Sequence, residues 1–173
     1  MNVTLHAVAA FATGTALAAR MPERQPPRLL DRRDLPWLAA GLAGNVALHA
    51  AMDLVPHTYP LPWRIDIAAS VALMVLSLAA FRPRYVPLLA TAFLGGLLPD
   101  LVDQGPGLLN RLLGLDLPTG EFFGFHTARY VITGYLGHVE LFSVLSHLLV
   151  LGGCAALVVG ARRKSPLLLR RRR

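Results

Sequence analysis

The sequence is poor in cysteine and in charged residues. Only one of its 173 residues is a cysteine, Cys154, and it lies inside an apolar run. This excludes an internal disulfide framework and a zinc site built from cysteines. Charged residues make up 16% of the chain, whereas they make up about a quarter of an ordinary soluble domain. Hydrophobic residues reach 54% and the mean hydropathy is +0.50, so the composition favours a membrane protein.

Common catalytic motifs are also absent from the sequence. It contains no Gly-x-Ser-x-Gly, no phosphate-binding glycine loop, no His-Glu-x-x-His and no dinucleotide-binding fingerprint. These absences argue against the serine hydrolases, nucleotide-binding enzymes and metalloproteases that carry such motifs.

Five apolar segments dominate the chain, and each is close to the ~20 residues that cross ~30 Å of hydrocarbon as a helix. Because lipid offers no hydrogen-bond partners to the backbone, we expect these segments to be helices. Pro87 and Pro99 bracket the fourth, so a broken or re-entrant helix is an alternative there. The sequence therefore predicts an all-α integral membrane bundle of about five transmembrane helices, with one domain over residues 1–160 and a basic tail over 161–173. The segments are residues 3–19, 35–55, 65–81, 85–102 and 141–160.

Basic residues orient this bundle. Alternate threading places residues 20–34, 82–84 and 161–173 on one side, and these carry 14 of the 17 lysines and arginines. The positive-inside rule then predicts an outside N-terminus and an inside C-terminus. The first segment has no basic residues before it, which favours a retained anchor over the alternative of a secretory signal peptide. For the basic tail we expect contact with anionic lipids and not with nucleic acid.

Histidines and acidic residues collect at the opposite, outer end. Asn45, His49 and Asp53 are spaced i, i+4, i+8 and form one polar stripe, while Asp100 and Asp103 lie about one turn apart at the end of the fourth segment. Ionisable side chains are costly at membrane depth and usually serve a function there. A pair from each of two helices gives a mixed imidazole and carboxylate set that suits zinc, manganese or iron.

We therefore predict that His49, Asp53, Asp100 and Asp103 bind one divalent metal. His6, His57 and His126 lie at the same end of the bundle, where they complete the ligand set or transfer a proton. In particular, His6 is a further candidate ligand, and His57 and His126 are candidate catalytic residues. Because ligand bonds are only ~2.0–2.2 Å long, a large separation between His49 and Asp100 would exclude this site.

Four short motifs resemble a known family. They are Thr4-Leu-His6, the stretch from Leu48 to His57, Leu97-Leu-Pro-Asp-Leu-Val-Asp103, and Phe125-His126. Together they are similar to motifs of the small bacterial membrane-bound metal-dependent hydrolases, a family that includes the LexA-regulated inner-membrane hydrolases. The resemblance covers most of residues 4–126. It implies a divalent metal held by residues drawn from His6, His49, Asp53, Asp100, Asp103 and His126.

The function expected from these observations is metal-dependent hydrolysis of a phosphoester or ester, with a lipid among the possible substrates, at the outer membrane interface. Two alternatives remain at this point. One is a non-catalytic subunit or scaffold of a larger membrane complex, whose polar ends contact membrane protein partners. The other is a small transporter whose polar stripe lines a path.

Overall fold

A computed structural model describes residues 3–22, 31–55, 62–126, 139–165 and 168–169. These residues form helices and no strands, which confirms the all-α class. Two short 3-10 helices, Arg32–Asp34 and Pro83–Tyr85, precede the second and fourth α-helices. The α-helices are α1 Val3–Ala18, α2 Leu35–Leu54, α3 Trp63–Ala80, α4 Val86–Asp103, α5 Gly105–Leu113 and α6 Val139–Lys164.

Four helical segments are long and apolar enough to cross a membrane: Arg32–Leu54, Trp63–Ala80, Pro83–Asp103 and Leu141–Lys164. They correspond to four of the five predicted spans. The fourth is one continuous helix with Pro99 inside it, and not the broken helix that was the alternative. The first predicted span forms α1, whose 16 residues extend only ~24 Å at 1.5 Å per residue.

Helix α4 packs closely against both α1 and α2 because small residues line its contacts. A Cβ atom added at Gly95 would overlap the backbone carbonyl of Leu42 in α2. One added at Gly96 would lie 2.9 Å from the Cβ of Ala10 in α1. The two adjacent glycines thus let α4 approach a different neighbour on each side.

The turn between α3 and α4 packs against the C-terminal segment. Phe81 forms an antiparallel bridge with Leu169, and the backbone N–H of Arg82 donates to the Leu168 carbonyl. Leu168 is buried in the same apolar cluster as Phe81 and Tyr85. Helix α6 ends at Lys164, and Leu168, which belongs to the predicted basic tail, packs on the bundle.

Helix α5 is short and amphipathic. It ends at Gly114, whose φ of 65° is the left-handed conformation that glycine adopts readily at a helix C-terminus. Leu109, Leu112 and Leu113 are exposed on its apolar side. This short helix follows α4 directly and lies at the end of the bundle where α4 ends.

Asp66 in the first turn of α3 caps α1 from the side. Its two carboxylate oxygens accept the backbone N–H groups of Val3 and Thr4, each at 2.9 Å. The first N–H groups of a helix have no partner within the helix, so Asp66 satisfies two of them. This buried carboxylate therefore has a structural role, as a helix-end cap.

Replacing Asp66 with alanine should lower the stability of the bundle by roughly 2 kcal/mol, because two buried N–H groups lose a charged acceptor. Thermal unfolding in detergent measures the effect. The matched control is Asp116→Ala, since Asp116 is exposed in a stretch without helix. Equal melting temperatures for the two variants would contradict the capping role.

Candidate metal centre

Four side chains from three parts of the chain meet at one end of the bundle. Helix α2 contributes His49 and Asp53, α4 contributes Asp100, and the helical turn at residues 124–126 contributes His126. One ligand atom from each lies within 4.8 Å of all the others. His49 Nε2 and Asp100 Oδ1 are 3.8 Å apart, so the separation that would have excluded a shared ion is not found. We call these four residues the His2Asp2 cluster.

The spacing of the ligand atoms matches what one small cation requires. Bonds of ~2.0–2.2 Å in tetrahedral geometry separate the ligand atoms by about 3.3–3.6 Å. The two Nε2 atoms of His49 and His126 are 3.3 Å apart. Asp53 Oδ2 lies 3.4 Å from the first and 3.2 Å from the second. Asp100 Oδ1 is 3.8 Å and 3.6 Å from the same two atoms.

Hydrogen bonds behind the two imidazoles fix which nitrogen faces the cluster. His49 Nδ1 lies 2.7 Å from the Gly96 carbonyl oxygen, which can only accept, so this nitrogen carries the hydrogen. His126 Nδ1 lies 2.6 Å from Asp103 Oδ2 and donates to that carboxylate. In the neutral form of each ring, Nε2 is therefore the nitrogen without hydrogen, and it faces the cluster with its lone pair. Metal-binding histidines commonly have their second nitrogen held in this way.

Asp53 is held in turn by His6 of α1. His6 Nε2 lies 3.1 Å from Asp53 Oδ1 and donates to it, while Asp53 Oδ2 faces the cluster. The His6 ring also stacks on the His49 ring, with centroids 3.7 Å apart. His6, predicted as a further ligand, therefore lies beside the His2Asp2 cluster and positions two of its members.

Asp100 is the cluster member that is open to its surroundings. Its side chain is 20% exposed, whereas those of His49, Asp53 and His126 are 3% exposed or less. Its Oδ2 atom is buried and has no hydrogen-bond partner among the described residues. An unpaired carboxylate oxygen beside a second carboxylate and two imidazole lone pairs is an arrangement that a cation stabilises.

Asp103 lies behind His126 and not among the ligand atoms. Its carboxylate accepts the backbone N–H groups of Phe122 and Phe123 as well as the His126 Nδ1–H. A residue three positions beyond Asp100 is rotated by about 60° around a helix axis with 3.6 residues per turn. Asp103 therefore faces the segment that carries His126, and it anchors that segment to the end of α4.

The remaining polar predictions have separate outcomes. Asn45 is buried in the predicted stripe, where it accepts from Thr13 and donates to the Gly41 carbonyl, so it joins helices and does not reach the cluster. His57, predicted as a catalytic residue, lies outside the described residues.

His126, which the sequence indicated as a residue that completes the ligand set or transfers a proton, lies among the four potential ligand residues. Phe125 covers it, with ring centroids 4.7 Å apart, and lies 5.7 Å from the His49 ring. The short motif Phe125-His126 was the sequence signal for this residue. Its position in the cluster could not be predicted, because it depends on the path of the chain after α5.

The donor set fits a divalent cation. Two neutral imidazoles and two carboxylates are ligands that zinc, manganese and iron accept, and the His2Asp2 cluster could hold one such ion. Comparisons with protein-family models, curated proteins and solved structures found no match.

Proposed function

We propose that this protein is a metal-dependent hydrolase of a bacterial inner membrane and that it cleaves a phosphoester or ester at the extracytoplasmic interface. The observation that carries the proposal is the convergence of four ligand atoms, two of them imidazole lone pairs fixed by hydrogen bonds to Gly96 and Asp103. The resemblance of the short motifs to membrane-bound metal-dependent hydrolases supports the same activity.

A divalent ion bound by the cluster would supply Lewis acidity, which makes water a stronger acid and polarises a phosphoryl or acyl oxygen. The protein's own residues supply orientation and a proton acceptor. His6 and Asp103 hold Asp53 and His126 in place. His49, Asp53 and His126 are buried, so bulk water does not reach these three side chains.

Asp100 supplies the proton acceptor, and its two oxygens have different surroundings. Oδ1 faces the two imidazoles, and Oδ2 has no partner among the described residues. In the proposed step the oxygen of water forms a bond to phosphorus or to the acyl carbon. Oδ2 of Asp100 takes the proton of that water. The bond to the leaving alcohol oxygen breaks, and that oxygen takes a proton from solvent.

Hydrolysis of fluorogenic phosphoesters and esters by purified protein tests this function. We expect turnover that needs added zinc, manganese or iron, that stops on chelation, and that falls at least about 100-fold in Asp100→Asn. Asp116→Asn, an exposed acidic residue, serves as the control and should retain activity. Stoichiometric metal without turnover on any of these substrates would overturn the hydrolase proposal and leave a structural metal site in a non-catalytic subunit.

A further inference from the structure

A long apolar groove opens beside the His2Asp2 cluster. It has a volume of about 590 Å³, within the ~300–1,000 Å³ typical of ligand-binding pockets. Helix α3 forms one wall and α4 the other, and α5 lies across one end. From Trp63 to Leu78 along α3 the groove extends ~22 Å at 1.5 Å per residue. Its walls include Ile67, Val71, Met74, Phe93 and Leu97.

The groove ends at the cluster. Asp100 lines the groove, and it is also the cluster member with an exposed side chain. His49, Asp53 and His126 do not line it. A molecule lying in the groove therefore reaches the cluster at Asp100, the residue to which we assign proton transfer.

A positive charge lies at the same end of the groove. Arg111 of α5 lines it, together with the amide side chain of Gln104. Arg111 is exposed, and no ion pair joins it to an acidic residue within the described ranges. An arginine guanidinium binds phosphoryl oxygens through two parallel hydrogen bonds. The groove is thus apolar over the length of an acyl chain, and the positively charged side chain of Arg111 lies at the end next to the cluster.

We propose that the groove holds one acyl chain of an anionic lipid and that Arg111 binds the phosphoryl head group of this lipid next to the cluster. That this lipid is the substrate rests on the proposed hydrolase function. The binding itself does not, because it depends on the groove and on Arg111 alone. The occupant is a membrane lipid and not free phosphate, since the walls of the groove are apolar along α3 and α4.

Photo-crosslinking tests the binding. The probe is a phosphatidic acid with a photoactivatable group midway along one acyl chain, present at low mole fraction in phosphatidylcholine nanodiscs. We expect crosslinks at Met74, Phe93 and Leu97. We also expect Arg111→Gln to reduce labelling about five-fold and excess inorganic phosphate not to compete. Arg64→Gln is the control for charge, because Arg64 is an arginine of α3 that does not line the groove.

A second pair of variants tests the channel without changing charge. Val71→Trp places a bulky ring in the groove from a half-exposed position and should reduce labelling, whereas Leu76→Trp alters an exposed position of the same helix outside the groove. Labelling spread evenly over other lipid-facing residues such as Leu149, or equal labelling in Arg111→Gln and Arg64→Gln, would overturn the proposal.

Carrying out the crosslinking after chelation separates this inference from the proposed function. Specific labelling of the groove in chelated protein, together with no hydrolysis of any phosphoester or ester by the metal-loaded protein, would support the groove and contradict the hydrolase. Metal-dependent hydrolysis of soluble esters without specific labelling would support the hydrolase and contradict the groove.

Discussion

Replacement of Asp53 with asparagine is expected to remove the metal from the purified protein. Asp53 Oδ2 lies 3.4 Å from the Nε2 atom of His49 and 3.2 Å from that of His126. This oxygen is therefore placed to bind the same ion as the two imidazoles. Asparagine keeps the size of the side chain and loses its charge. Because substitutions of residues behind the ligands already cost about 10–100-fold in metal affinity, loss of a ligand carboxylate should cost at least as much.

Elemental analysis of protein loaded with zinc, manganese or iron measures this loss. Asp103→Asn should show a smaller decrease, because Asp103 acts through His126. Asp116→Asn is the control, since Asp116 is an exposed acidic residue in a stretch without helix. Equal metal content in wild type and Asp53→Asn would show that the cluster does not bind the ion.

The substitution Gly95→Ala should have the largest effect on folding. A Cβ atom at this position would overlap the carbonyl group of Leu42, which is backbone and cannot move aside as a side chain can. Overpacking of this kind costs roughly 3 kcal/mol, more than the ~1 kcal/mol that alanine gains over glycine in helix propensity. Because α2 carries His49 and α4 carries Asp100, separation of the two helices should also lower metal affinity.

Thermal unfolding together with metal analysis measures both consequences. Gly44→Ala provides the control, because Gly44 is also a helical glycine and a Cβ added there meets nothing within 4 Å. We expect this control to be as stable as wild type or more so. An unchanged melting temperature in Gly95→Ala would contradict the close approach of α2 and α4.

The helices could be predicted from the sequence because each apolar run is close to the length of a helix that crosses a membrane. The predicted segments and the observed helices differ by few residues at most ends. The burial of Leu168 could not be predicted, since it depends on contacts with the distant residues Phe81 and Tyr85.

Three of the four cluster members could be predicted as ligands, because His49 and Asp53 lie one helical turn apart on α2 and Asp100 lies at the same end of the bundle. The distinction between Asp100 and Asp103 could not be predicted. Both lie at the end of α4, and only the position of the segment that carries His126 decides which carboxylate faces inwards. That position follows from hydrogen bonds between Asp103 and the backbone of Phe122 and Phe123, which leave no pattern in the sequence.

The short length of α1 has a consequence for how water and lipid reach the cluster. A ~24 Å helix in ~30 Å of hydrocarbon creates a hydrophobic mismatch, which usually thins the bilayer or tilts the helix. Here α2, α3, α4 and α6 all contact α1, and no side chain of α1 is exposed, so the other helices surround it. His6, close to one of its ends, is therefore enclosed by protein. The groove between α3 and α4 reaches the cluster at Asp100, so a molecule in the groove approaches the cluster from the side of the bundle.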